Sequence, residues 1–235
     1  MNFSDWKQQY ESEKSRLLEA LGTVTDCGIV EEIQHIGATS VPGMQGSPCV
    51  DIGLAVRPFP LEAAPGSRLA ALGYQIVDGF AGSLRQQRFR HASGTFQLFI
   101  LEPGVGDWYD FVLVGDYLGH NDKVCDGVSA KKSNMVMDKS ALFTELLPNA
   151  HQWWIEHYGF SQLQAIANEL QDASFEWYVS GGWAVDLLVG SVQRVHHDVD
   201  IVVSRNAQLE LQKYLTEHDW DRRAIKCMHI VRILS

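Results

Sequence analysis

No apolar run in this 235-residue sequence approaches the roughly 20 residues that a membrane-spanning helix needs, so no membrane partner is expected. Positive charge is scarce as well. Nineteen Lys and Arg stand against 29 Asp and Glu, for a formal net charge of −10. That balance argues against a broad nucleic-acid surface and leaves room only for a small basic pocket. Cysteine is sparse: Cys27, Cys49, Cys125 and Cys227 are scattered, with no CxxC pair and no metal-ligand spacing. A disulfide framework and a zinc site are therefore not expected. Reduced, mostly buried thiols suit the cytoplasm. Low-complexity linkers are missing. The N-terminal 21 residues read as a polar amphipathic helix rather than a signal peptide.

What is present is a globular α/β alternation. Hydrophobic content is 46% and charged content 20%, as in soluble domains, and the length suits one large or two modest domains. Periodicity and turn residues predict helices over 5–21, 61–72, 107–118, 122–137, 141–158, 163–170, 183–188 and 207–218. They predict strands over 29–36, 50–56, 74–77, 88–91, 96–101, 175–179 and 199–203. An alternating apolar segment, 225–234, closes the sequence. Gly159 marks a boundary, giving expected domains 1–159 and 160–235.

The most informative stretch is VSGGWAVDLLVGSVQRVHHDVDIVV, residues 179–203. A short strand runs into Gly181-Gly182, which lets backbone approach a phosphate closely. Ser180, Gly181 and Gly182 sit where a helix begins, and the first amides of a helix lack internal acceptors. Asp198 and Asp200 are spaced i, i+2 on a β-branched run, which puts both carboxylates on one side. Mg²⁺ favours one or two carboxylates plus substrate phosphates, and it offsets charge on the attacking and leaving oxygens of a phosphoryl-group displacement. Arg194 is placed to contact a phosphate. Each feature alone has an ordinary explanation. Gly-Gly is commonly just a turn, and Asp-x-Asp a solvated strand edge. His196 and His197 read as loop or surface residues, Trp183 as core, and Asp186 as a helix-turn partner or a cap for the Arg194 loop. The combination carries the chemical reading.

This stretch resembles the signature of small nucleotidyltransferases that modify lincosamide and aminoglycoside antibiotics. The match runs through Gly181, Gly182, Trp183, Asp186, Gly190, Arg194, His196, Asp198 and Asp200, and departs at Gln193, where Thr is common. The resemblance implies a polymerase-β-like nucleotidyltransferase fold with Asp198 and Asp200 as catalytic metal ligands. The family also uses a third carboxylate on a later strand and a C-terminal helical region for the acceptor. The tail 224–235 contains no Asp or Glu, so the expectation is a partial second copy of the fold, or a truncated product of a longer gene.

An earlier stretch, HIGATSVPGMQGSPCVDIGLAV (35–56), is similar to the hallmark of the GrpB (UPF0157) family. The resemblance extends over about 3–158, through Trp6, Glu13, Leu17, the LEPG turn at 101–104, Tyr117-Leu118 and Lys139-Ser140. It implies a nucleotidyltransferase relative. Gly37, Thr39 and Ser40 would offer amides and hydroxyls to a phosphate, and Asp51 would reach a metal. Three departures stand out: Ala38 where Ser is usual, Ser47 where Lys is usual, and Gln97 where His is common. Asp51 has Cys49 and Gly53 at i±2 instead of a second acid. Arg85, Arg88, Arg90 and His91 form the most basic local cluster, suited equally to triphosphate oxygens and to a solvated strand edge.

The sequence thus predicts an α/β (α+β) chain: a mixed sheet flanked by helices, followed by a partial copy. The expected function is Mg²⁺-dependent nucleotide binding or nucleotidyl transfer to a small hydroxylated acceptor. The candidate catalytic and metal residues are Asp198, Asp200 and Asp51. The candidate nucleotide-binding residues are Gly37, Thr39, Ser40, Arg88, Ser180, Gly181, Gly182 and Arg194. The alternative is a catalytically inactive GrpB-type accessory module. Expected partners are a nucleoside triphosphate and a small acceptor. The second unit is expected to pack on the first or to form a homodimer, because a partial domain exposes apolar surface, here over 199–203 and 225–234.

Overall fold

A computed structural model describes residues 2–23, 28–44, 48–78, 86–103, 106–134, 139–196, 198–217 and 232–233. The chain divides into two compact units, Met1–Pro148 and Asn149–Ser235.

The first unit opens with helix α1 (Phe3–Leu21), started by a capping box between Asn2 and Asp5. Trp6, Tyr10, Glu13, Leu17 and Leu21 recur at three- and four-residue spacing and form its buried face. Strands β1 (Val30–Ile36), β2 (Val50–Val56), β3 (Tyr74–Asp78), β4 (Gln86–His91) and β5 (Phe96–Leu101) form one sheet, in the order β1-β2-β5-β4-β3. Only the β2–β5 pair is parallel; the others are antiparallel. Every residue of β2 is buried, as in an interior strand covered on both faces. Val50, Ile52, Leu54 and Val56 join α1 and helix α2 (Ala63–Ala71) in the main core. Ala55 packs on the opposite face with Leu101 and with Trp108 of helix α3 (Gly106–Gly119). Gly53 makes room for that helix: a Cβ there would lie 2.9 Å from Trp108 Cζ3. Helices α4 (Asp122–Asn134) and α5 (Lys139–Tyr158) follow. The mixed sheet flanked by helices is therefore the architecture that forms.

One acid lies inside this core. Glu13 accepts from the Tyr74 hydroxyl at 2.9 Å and from Arg16 Nη1 at 2.6 Å. These charge-assisted bonds compensate its burial. Burial, followed by the Glu13 charge, pushes the Tyr74 phenol up.

The second unit holds helix α6 (Ser161–Glu169), strand β6 (Trp177–Val179), helix α7 (Gly181–Val189), strand β7 (Ile201–Val203), helix α8 (Gln208–Glu217) and strand β8 (Arg232–Ile233). The division from the first unit falls within α5. Trp154, in the last turns of that helix, packs on the second core beside Leu163, Ile166, Trp183, Val199, Ile201 and Leu211. Strand β6 pairs antiparallel with β7, and β7 parallel with β8. Strand β7 is shorter than expected, and of 225–234 only β8 lies among the described residues.

The expected apolar exposure is in a different place. Val199, Ile201, Val202 and Val203 are all buried, because β6 and β8 flank β7 and the α-helices fill its face. Exposed apolar side chains gather on α7, where Leu188 is 89% exposed and Val185 and Val189 are exposed beside it; Tyr178 of β6 and Leu209 of α8 are exposed as well. No helix among the described residues is long and apolar enough to cross a membrane.

Candidate functional site

The two units build the same small device. In the second, Ser180 N–H donates to the Asp200 carbonyl at 2.8 Å, extending the β6–β7 ladder by one pair. The next residue, Gly181, has φ +63°, and a Cβ there would collide with Asp200 Oδ2. In the first, Ile36 pairs with Asp51. Gly37 follows at φ +75°, and its Cβ would lie 2.5 Å from Asp51 Oδ2. In each unit the chain turns in a left-handed conformation against a carboxylate, and only glycine satisfies both the angle and the space. In register, Asp51 corresponds to Asp200, Gly37 to Gly181 and Cys49 to Asp198.

The surroundings differ. After Gly181 the chain enters α7, nine residues long. After Gly37 it makes a single 3₁₀ turn, Ala38–Ser40, closed by Ser40 Oγ–H donating to the Gly37 carbonyl at 2.7 Å. Thr39 is buried and shares a 2.9 Å hydrogen bond with His35 Nε2. Its hydroxyl is engaged in that internal bond. Tyr10 stacks on the His35 ring, 5.0 Å between centroids, and burial lowers the His35 imidazole to about 4.

In the second unit Val199 is fully buried, so Asp198 and Asp200 leave the backbone on the opposite side. Asp198 is exposed and Asp200 half-buried. Among the described residues no group of three or more His, Cys, Asp or Glu gathers. Asp198 and Asp200 are the two carboxylates here, a pair of the kind that Mg²⁺ takes together with phosphate oxygens and water.

A buried scaffold holds this pair. Asp186 Oδ2 lies 2.7 Å from His196 Nε2 and accepts from the Gln193 amide at 3.2 Å. Asp186 thus caps the loop carrying Arg194, one of the structural roles expected for it. His196 lies in a loop but is only 2% exposed, which corrects its reading as a surface residue. Its ring stacks on Trp183 at 4.3 Å, and the Trp183 indole N–H donates to the Asp198 carbonyl at 2.8 Å. Gly182 lies beneath this group: a Cβ there would lie 2.5 Å from His196 Cε1 and 2.6 Å from Arg194 Nη2. Arg194 is exposed and donates to the Val195 carbonyl at 3.0 Å.

In the first unit, register brings together residues that spacing alone does not. Asp51 pairs with Gln97 on β5, and Gln97 with Arg90 on β4. Arg88 pairs with Phe99 in the neighbouring row. Gln97 and Arg90 thus join Asp51, although only Arg88 stood among the candidate binding residues. Arg85, Ser47, His197, Cys27 and Cys227 lie outside the described residues; Cys125 is buried and Cys49 half-buried.

Residues 3–158 match the family model described as GrpB protein. The chain belongs to the GrpB family. A UPF0157 protein of Streptomyces coelicolor is 30% identical over 113 residues, 48% of this chain and 56% of its own length. The glutamate-rich protein GrpB of Alkalihalophilus pseudofirmus is 27% identical over 138 residues, 56% of this chain and 76% of its own length. The chain thus spans little more than half of the Streptomyces relative. The crystal structure of a conserved GrpB protein from Enterococcus faecalis superposes with a TM-score of 0.51 at 18% identity, covering 62% of this chain and 92% of that one; the likeness is one of fold. Beyond the GrpB unit, residues 162–229 match a second family model, aminoglycoside-2''-adenylyltransferase. That segment contains the whole Gly181–Asp200 device.

Proposed function

We propose that the second unit binds a nucleoside triphosphate with Mg²⁺ and transfers its nucleotidyl group to a small hydroxylated acceptor, of which an aminoglycoside is the type named by the matched family. The observation that carries this reading is the Gly181–Asp200 turn, with Asp198 and Asp200 leaving on one side next to the start of α7. When bound, Mg²⁺ supplies charge compensation at the phosphates. Asp198 and Asp200 are its protein ligands. The first amides of α7, with no internal acceptors, receive phosphate oxygens. Arg194 adds a guanidinium on the same side, and Trp183, His196 and Asp186 fix the backbone around Asp198.

The GrpB unit supports a second reading, that of a binding module without turnover. Cys49 stands where the second unit has Asp198, and Gln97 stands opposite Asp51. One carboxylate makes a poor two-metal site.

Calorimetric titration of ATP, GTP, CTP and UTP, with and without Mg²⁺, tests the proposal. The expected result is Mg²⁺-dependent binding of at least one nucleotide, lost in Asp200→Asn. Absence of binding at millimolar nucleotide, or an Asp200→Asn protein that binds like wild type, contradicts it.

A further inference from the structure

The face of the first sheet opposite the main core carries a polar row that spans three strands. Directly paired residues share a sheet face, as do alternate residues of a strand. Ile52, Leu98 and Phe89 point into the main core, so Asp51, Gln97 and Arg90 lie together on the other face, with Arg88 one step along β4. From β2 to β4 the row covers about 10 Å, at roughly 4.8 Å per strand.

Arg88 is oriented by its neighbours. With the Gln97 amide turned so that its oxygen faces the guanidinium, that oxygen accepts from Arg88 Nη2 at 2.8 Å and from Nε at 3.3 Å. The guanidinium lies 5.4 Å from the centroid of the Phe99 ring, a cation–π arrangement. Both of these partners are neutral. Arg16 and Arg57, by contrast, each meet a glutamate at 2.6 Å. A guanidinium held along one edge by an amide keeps its charge and offers its remaining N–H groups outward. Arg90 is exposed and has Gln97 and Gln75 as its cross-strand neighbours. Asp78 stands opposite Arg88 on the edge strand β3, on the far side from Asp51.

We propose that Arg88, Arg90 and Gln97 form an anion site for the phosphates of a small phosphorylated ligand, and that this site fills without a divalent cation. The two sites differ by charge. A pair of carboxylates repels a phosphate until a cation comes between them, whereas a pre-oriented guanidinium beside a second one attracts it directly. The proposal rests on the phosphate-handling reading of the GrpB unit and not on turnover at Asp200.

The test is calorimetric titration of inorganic tripolyphosphate into the full chain in EDTA at low salt. Binding is expected in wild type. It weakens about tenfold in Arg88→Lys, because an ammonium keeps the charge and loses the planar fork. It disappears in the Arg88→Gln/Arg90→Gln double variant. Circular dichroism melts establish that each variant is folded, and Arg88→Lys makes the smallest change. No binding in EDTA, binding that survives the double substitution, or binding abolished by Asp200→Asn overturns the proposal. Failure of nucleotidyl transfer reads separately, as Mg²⁺-dependent nucleotide binding that ignores Asp200→Asn.

Discussion

The GrpB unit and the unit that follows it use one backbone device in two electrostatic settings. Each sets a left-handed glycine against the carboxylate of the neighbouring strand, Gly37 with Asp51 and Gly181 with Asp200. Two residues before that carboxylate, the first unit has Cys49 and the second has Asp198. Across the sheet, Asp51 lies in one cross-strand row with Gln97 and Arg90, while the Asp198 carbonyl is held by a buried Asp186–His196–Trp183 scaffold. The shared device is a backbone constraint. The chemistry depends on which charged groups surround it.

The largest expected effect separates the two units by stability. Trp183 is buried in the second core, stacks on His196 and holds the Asp198 carbonyl. Trp183→Ala should cost about 3–5 kcal/mol, enough to melt the second unit selectively. Thermal denaturation monitored by limited proteolysis would show cleavage within 149–235 before cleavage within 1–148. Simultaneous loss of both units would break the comparison.

The next effect probes the device itself. Gly181→Ala forces an unfavourable φ and a collision with Asp200, a strain of about 1–3 kcal/mol. It should abolish Mg²⁺-dependent nucleotide binding while the first unit stays folded. Gly37→Ala should strain the first unit by a similar amount and leave Mg²⁺-dependent binding intact. Equal effects of both substitutions on that binding would remove the distinction between the sites.

The smallest effect is a pH dependence confined to the first unit. Burial lowers His35 to about 4 from an ordinary value of 6.5. Between those values the unfolded chain binds more protons than the native one, so the stability contributed by neutral His35 falls as pH drops from about 6.5 toward 4. Denaturant melts at pH 7 and pH 4.5 should show wild type losing more stability than His35→Gln. An identical loss in both proteins would rule out His35 as the cause.

The sequence made the device legible but not its neighbourhood. Gly181-Gly182 and Asp198-x-Asp200 stand close in the chain, so turn chemistry and strand alternation sufficed to group them. Asp51 and Arg90 are brought together by a parallel β2–β5 pairing and an antiparallel β5–β4 pairing, neither of which leaves a local signal. His196 looked like a polar loop residue because its burial depends on Asp186, ten positions earlier, and on a stacked indole. The apolar content of α7 was visible, but not that its outer side would be exposed. Helical periodicity says little when nearly every position from Ala184 to Val189 is apolar.

On the proposed function, the Asp198–Asp200 pair, rather than the GrpB site, holds a divalent cation together with a nucleotide. Electron paramagnetic resonance of Mn²⁺ with the full chain and excess ATP tests this most directly. A bound Mn²⁺ signal that disappears in both Asp198→Asn and Asp200→Asn, and persists in Arg88→Lys, is the predicted result. Wild-type-like Mn²⁺ binding in the two aspartate variants would contradict it.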